Sequence, residues 1–155
     1  MIYTNILALY KKKILILLGL IFFLGLGILF INTSKVFKRK VCFKEKCFYA
    51  DVADNSAERA KGLSGRKRLG TDEGILFIFE ARGRHPFWMK DMFIPLDIIW
   101  MDESGKAVFI KENVKPCDAK CCKSMIPDAE AKYVLEINSG KVKEMGLKVG
   151  DTIIK

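Results

Sequence analysis

Three charged residues lie in otherwise apolar stretches of the chain, and they are the side chains best suited to chemistry. Lys90 follows an aromatic segment, Asp97 lies within an apolar run, and Glu136 lies within another. A charge placed in a buried strand needs a partner or serves a function. One hypothesis therefore places Lys90, Asp97 and Glu136 around a cleft walled by Trp88 and Trp100, where they bind a small polar ligand.

The alternative for the same residues is structural. Alternate residues of a strand share a face, so Asp97 is expected to face the same way as Ile99 and Met101, and Glu136 the same way as Val134. Lys90 likewise shares a face with the tryptophan two positions before it. On this alternative the charges form a hydrogen-bonded network that ties loops to the sheet, and the tryptophans fill the core. The spacing alone does not choose between the two.

Signatures of nucleophilic or metal-dependent catalysis are absent from the sequence. His85 is the single histidine, in a basic loop beside Pro86, and no Gly-x-Ser-x-Gly segment accompanies it. We expect an exposed loop histidine there. A hydrolase that uses Asp97 or Glu136 as acid or base remains the enzymatic alternative. We expect no metal and no cofactor, because the chain has no Cys-x-x-Cys pair and almost no histidine.

A basic loop at residues 66–68 combines two arginines and a lysine. Such a cluster can hold a phosphate or a carboxylate. A short charge run is more often a solvated surface, and no phosphate-binding glycine loop accompanies this one. We therefore expect a solvent-facing loop.

The cysteines fall into two close groups, which favours disulfides. Two of them flank a four-residue segment and three crowd a later loop: Cys42, Cys47, Cys117, Cys121 and Cys122. Close pairs of this kind are typical of domains outside the cytoplasm. A bridge from Cys42 to Cys47 would pin a hairpin. The alternative is reduced thiols in a cytosolic domain, and the odd number leaves at least one cysteine unpaired.

The N-terminal part of the chain has the pattern of a membrane anchor. Residues 14–31 contain no charge, and at about 1.5 Å per residue they nearly span a hydrocarbon layer of about 30 Å. Three lysines precede this run. A cleaved signal peptide shares the pattern, but no small-residue cleavage site follows. We expect a short tail at 1–13, a transmembrane helix at 14–31, a basic linker at 32–40 and one globular domain at 41–155.

The formal charge of +9 is concentrated near this anchor. Residues 1–40 hold seven basic and no acidic side chains, so the remainder has 20 basic against 18 acidic residues. A juxtamembrane excess of this kind attracts anionic lipid headgroups, and we expect no nucleic-acid partner. Charge does not decide the orientation, since basic residues flank both ends of the apolar run.

Strands dominate the elements predicted after the linker. We expect strands at 41–43, 47–52, 74–79, 95–101, 106–112, 131–137 and 152–154, with residues 86–89 extended. Asn55 and Glu58 predict the start of a short helix that Gly62 ends, and Ser139 is expected to cap a second helix. Residues 113–129 are expected to be irregular. The fold class is α+β, with a compact, mainly antiparallel, partly closed sheet and short inserted helices.

Several motifs, taken in order, resemble one family. They are Gly62-Leu63 with Arg66, the run 74–79, Phe87-Trp88-Met89-Lys90, the run 94–99, Pro116-Cys117, Tyr133-Val134-Leu135-Glu136 and Gly150-Asp151. Together they are similar to the uncharacterised domain-of-unknown-function family 192 over residues 47–154. The resemblance implies a mostly β single domain, commonly exported or anchored, and no established activity. The chain departs from the usual family pattern at Ile75, Asp91 and Ser139.

We therefore expect a membrane-anchored domain outside the cytoplasm that binds a small ligand or a protein rather than one that catalyses a reaction. Its partners are expected to be membrane lipid, through residues 14–31, and this ligand. The site is expected near Trp88, Lys90, Asp97, Trp100 and Glu136.

Overall fold

The computed structural model describes residues 12–20, 37–117 and 122–153 of the chain. The chain divides into two units, residues 1–35 and 36–155. In the first unit, residues 12–20 are helical. Residues 21–31 of the expected membrane helix lie outside the described residues. Among the described residues, no helix is long and apolar enough to cross a membrane.

The second unit is built on one six-stranded sheet. Its strands are β1 (Lys38–Phe43), β2 (Lys46–Ala53), β3 (Glu73–Gly83), β4 (Leu96–Met101), β5 (Ala107–Val114) and β6 (Ala131–Asn138). They lie in the order β1-β2-β3-β6-β4-β5. Every neighbouring pair is antiparallel except β2 and β3. The mixed α+β class and the mainly antiparallel sheet are thus as predicted.

The sheet is open, so the expected partial closure was wrong. β1 and β5 form its edges within the described part of the chain. The final strand expected at 152–154 is reduced there to a single bridge between Lys106 and Thr152. Positively charged residues at the start of β1 blunt one of the two edges.

Two short helices complete the unit, and each is fixed at its ends. α1 (Ser56–Lys61) begins at Asn55, whose side chain accepts a hydrogen bond from the Glu58 amide, and ends at Gly62. Both ends are as predicted. α2 (Lys141–Met145) has Gly140, not Ser139, as its N-cap. The Ser139 hydroxyl instead donates to the Asn113 side chain at 3.0 Å, which removes it from the capping position.

The strands pack apolar side chains on both faces of the sheet. One core cluster lies on the face that α2 covers and includes Ile99, Met101, Leu135 and Ile137. The other lies on the face that α1 and the segment 86–94 cover and includes Leu63, Ile75, Phe77, Ile98, Trp100 and Val134. All six residues of β4 are buried, as expected of a run that is apolar on both sides.

Candidate functional site

A cavity of about 400 Å³ opens on the face of the sheet that α1 covers. It is lined by the end of α1 and the loop after it, by two phenylalanines of β3, by the segment 86–92 and by Glu136 of β6. Cavities of a few hundred cubic ångströms are the usual size for sites that enclose a small molecule.

Glu136 lies at the buried end of this cavity. It pairs in register with Ile75 of β3 on one side and with Ile98 of β4 on the other, so its neighbours on the sheet are apolar. Glu136 is only 5% exposed. No other described residue gives it a hydrogen bond or an ion pair. Among the described residues the fully enclosed side-chain atom without a hydrogen bond is Asp51 Oδ1, so the Glu136 oxygens retain some exposure, toward the cavity. A carboxyl group in such an apolar setting depends for its hydrogen bonds on what occupies the cavity, which marks this end of the cavity as a candidate site.

Burial sets the charge of this carboxyl group. Removal from water disfavours the ionised form and raises the pKa of Glu136 from 4.5 to about 8. At neutral pH the group is therefore mainly a neutral acid. A neutral carboxyl group donates one hydrogen bond through its hydroxyl and accepts others through its oxygens.

Arg59 supplies a fixed positive charge on one wall. Its guanidinium donates to the backbone carbonyls of Asp54 and Ile78, the latter at 3.0 Å, and lies 5.3 Å from the centre of the Phe79 ring. These contacts hold the side chain in one position. Neither the helical spacing nor the composition of α1 marks Arg59 in the sequence as a site residue.

Trp88 and Lys90 line the same cavity from the segment 86–92. Trp88 is 57% exposed, which is unusual for a residue with so large an apolar side chain. Lys90 is exposed and makes no ion pair with a described residue. Their segment is held by backbone hydrogen bonds between Phe87 and Met125 at 2.7 and 3.0 Å.

Asp97 lies on the opposite face of the sheet from Glu136. It pairs in register with Ile137, and its side chain faces the same way as Ile99 and Met101, as the alternation predicted. One carboxylate oxygen accepts the Asn113 amide at 2.8 Å, and the other accepts the Val142 amide at 2.8 Å. Asp97 therefore anchors the start of α2 and the end of β5 and does not reach the cavity.

Trp100 is fully buried behind the cavity and does not line it. Its indole nitrogen donates to the His85 carbonyl at 3.0 Å. Its ring packs edge to face against Phe87, a cavity wall residue, at 5.5 Å between centroids. Trp100 thus supports the wall. Of the five candidate residues, the structure brings Trp88, Lys90 and Glu136 together.

His85 is half-buried and not a freely exposed loop residue as expected. Its ring stacks on Phe79 with centroids 3.5 Å apart and lies within 3.2 Å of the Ala81 carbonyl. Burial lowers the pKa of His85 below its usual value. The histidine stiffens the aromatic wall from outside the cavity.

The basic loop at residues 66–68 divides into two parts. Lys67 and Arg68 are exposed, in line with a solvated loop. Arg66 instead pairs with the carboxylate of Asp51, a buried residue of β2. This pair ties the loop that follows α1 to the sheet next to the cavity. The sequence gives no signal for it, because Asp51 and Arg66 meet only through the fold.

Two disulfides join the cysteines that the structure describes. Cys42 bonds to Cys47 across the β1–β2 hairpin, and Cys117 bonds to Cys122. Cys121 lies outside the described residues. The backbone of Cys117 also forms a parallel β-bridge with Lys90 in the cavity wall, and the Cys117 amide donates to the Met89 carbonyl at 3.4 Å. Among the described residues, no group of three or more side chains is arranged to hold a metal ion.

Solved structures of other bacterial proteins are similar to this chain. A protein of unknown function from Novosphingobium aromaticivorans DSM 12444 is 31% identical, with a TM-score of 0.72 over 80% of this chain and 89% of that one. A putative transcription regulator from Sinorhizobium meliloti 1021 is 28% identical, with a TM-score of 0.68 over 76% of this chain and 92% of that one. Comparison with curated proteins gave no match. The family model for DUF192, described as an uncharacterized ACR, matches residues 39–154, and the chain therefore belongs to the DUF192 family.

Proposed function

We propose that the domain binds a small molecule, which enters the cavity between α1 and the segment 86–92 and contacts Glu136 at its buried end. The observation that carries this proposal is the Glu136 carboxyl group, which is buried in the cavity without a partner among the described residues. A ligand that makes the missing hydrogen bonds would recover the cost of burying that group.

The surrounding walls suit such a ligand. Phe77, Phe79 and Phe87 give apolar surface, and the exposed ring of Trp88 offers a flat face at the mouth. An apolar cavity with a few convergent polar groups is the usual form of a small-molecule site. The backbone hydrogen bonds that hold the walls reduce the ordering cost of binding.

A cavity-filling variant tests the proposal. Ala60 lines the cavity from α1, whereas Ala57 lies exposed on the same helix and does not line it. We expect at least one compound from a panel of sugars, organic acids, amino acids and amines to raise the melting temperature of the full chain in detergent. Ala60→Trp should abolish that shift and Ala57→Trp should preserve it. A panel without any such compound, or equal shifts in both variants, would contradict the proposal.

A second candidate function is hydrolysis with Glu136 as the acid. A carboxyl group that keeps its proton at neutral pH is suited to protonate a leaving group, and burial gives Glu136 this property. Asp97 is not available for this role in the cavity. The test is turnover of p-nitrophenyl esters and glycosides, which Glu136→Gln should abolish while the protein stays folded. Equal turnover by wild type and variant would eliminate this candidate.

We also propose that the domain lies outside the cytoplasm and is tethered to the membrane through residues 14–31. The support is the two cysteine pairs, which form and persist in oxidising compartments, and the uncharged run next to basic residues. A membrane-impermeant thiol reagent should label the cysteines of intact cells after mild reduction. Labelling only after lysis, or recovery of a shortened soluble chain, would reject this arrangement.

The Sinorhizobium meliloti relative is a putative transcription regulator, but the charge distribution of this chain does not favour nucleic-acid binding. The basic excess lies in residues 1–40, and the rest of the chain has nearly equal numbers of basic and acidic residues. A domain that binds nucleic acid by charge needs a basic surface of its own. We therefore propose no nucleic-acid partner.

A further inference from the structure

The charges around the cavity are unequal. Arg59, Lys61 and Lys90 line it, against the two acidic residues Asp91 and Glu136. Lys61 and Lys90 are both exposed, and neither makes an ion pair with another described residue. When Glu136 holds its proton, three positive charges face a single carboxylate, that of Asp91. The mouth of the cavity therefore attracts anions.

The far end of the cavity differs in character. Glu136 is flanked on the sheet by Ile75 and Ile98, and its carboxyl group is the only polar group among these three side chains. An ionised group of the ligand placed there would be surrounded by apolar side chains without a counter-charge. A hydroxyl or carbonyl oxygen, in contrast, can accept the proton of a neutral carboxyl group.

We propose that the ligand is a small organic acid that places its anionic group against Lys61 and Lys90 and an uncharged oxygen against Glu136. This inference rests on the proposed function and specifies the ligand for the same cavity. Lysine ammonium groups bind carboxylates and phosphates as point charges without fixed geometry, which suits two lysines at an open mouth. The apolar middle of the ligand lies against Trp88, whose ring is exposed there.

The dependence of binding on pH follows from the groups around Glu136. Arg59, Lys61, Lys90 and Asp91 share its cavity, and the strands on either side present isoleucines. Ionisation of Glu136 would remove its donated hydrogen bond and would place a negative charge in the same cavity as the ligand's anion. The affinity for an acid is therefore expected to fall as the pH rises past neutrality.

The experiment uses two sets of compounds matched in shape and different in charge. The first is glucuronate, methyl glucoside and glucosamine; the second is phenylacetate, phenylethanol and phenylethylamine. Binding to the full chain in detergent is measured by calorimetry and by thermal shift. We expect the acid of at least one set to bind about tenfold more tightly than its neutral counterpart, with weaker binding at higher salt.

Matched lysine variants locate the effect. Lys90→Met removes a charge at the mouth and keeps an apolar stem, whereas Lys67→Met removes an exposed charge outside the cavity. The first should lower the affinity for the acid several-fold and leave the neutral compound unchanged, and the second should alter neither. Equal losses in the two variants would overturn the inference.

Other outcomes separate this inference from the proposed function. If a neutral or cationic member binds as tightly as the acid of its set, the acid assignment is overturned and the binding function stands. If neither acid binds, the assignment is also overturned, and the proposed function is then decided by the broader panel and the Ala60→Trp variant.

Discussion

The carboxyl group of Glu136, which has no partner among the described residues, should make the stability of the protein depend on pH in a range where most carboxyl groups have no effect. Its pKa is about 8 in the folded state, raised by burial, against 4.5 for an unburied glutamate. Below pH 4.5 the group is protonated in both states. Between 4.5 and about 8 the unfolded chain releases a proton that the folded chain keeps, so stability falls as the pH rises.

The size of this effect follows from the two pKa values. A difference of one bound proton changes the free energy of unfolding by about 1.4 kcal/mol per pH unit. Over the range from 4.5 to about 8, the loss amounts to about 5 kcal/mol. That is comparable with the whole stability of a small domain, about 5–15 kcal/mol. Above pH 8 the contribution of this group is constant.

The test compares wild type with Glu136→Gln, which keeps the shape and the hydrogen-bonding capacity but does not titrate. Urea unfolding of the full chain in detergent between pH 5 and pH 9 gives the free energy of unfolding for each protein. The free energy of unfolding of the wild type minus that of the variant should fall steadily up to about pH 8 and then level off. The comparison is needed because His85 titrates in the same range with the opposite sign.

His85 contributes in that direction because burial lowers its pKa in the folded state. Near the usual pKa of histidine the unfolded chain then binds more protons than the folded chain. The contribution of His85 to stability therefore rises with pH and is fully present above that pKa. It is common to both proteins and cancels in the difference. Parallel stability curves for wild type and Glu136→Gln between pH 5 and pH 8 would refute the reasoning.

Three further substitutions test how the domain is held together. Asp97→Ala leaves the backbone amides of Asn113 and Val142 without their acceptor and should lower the free energy of unfolding by about 3 kcal/mol in urea titrations; an unchanged value would show that the contacts at 2.8 Å do not stabilise the fold. Gly74→Ala places a methyl group 2.6 Å from the Glu136 carbonyl oxygen, and thermal unfolding should show a loss of about 1–3 kcal/mol in the free energy of unfolding. No loss would show that the two strands can move apart there without cost. Replacement of both Cys42 and Cys47 by serine removes the bridge that closes a short loop and should lower the free energy of unfolding by about 2 kcal/mol. If this bridge accounts for the stability that the wild type loses in reductant, reductant should cause no further loss in the variant.

The local elements could be predicted because they depend on neighbouring residues. The apolar runs gave the strands, and Asn55 and Gly62 marked both ends of α1. Alternation along a strand also correctly assigned Asp97 to the face of Ile99. These signals operate within a few residues, and they need no knowledge of which strands become neighbours.

The relation between the two buried acids could not be predicted in this way. Asp97 and Glu136 lie on adjacent strands, but the register pairs Asp97 with Ile137, so the two carboxyl groups point to opposite faces. A shift of one residue would have brought them together. The same limit hid Arg59 and Arg66, whose contacts join parts of the chain far apart in sequence.

The contrast between these two acids is the strongest argument that the cavity has a function. Asp97 is fully buried, and both its oxygens accept backbone amides, so its contribution to the fold explains its presence. Glu136 is nearly as buried and has no such bonds among the described residues. An apolar residue at that position would pack between Ile75 and Ile98 at lower cost. Folding alone therefore favours an apolar residue at this position, and the proposed ligand of the cavity would account for the carboxyl group.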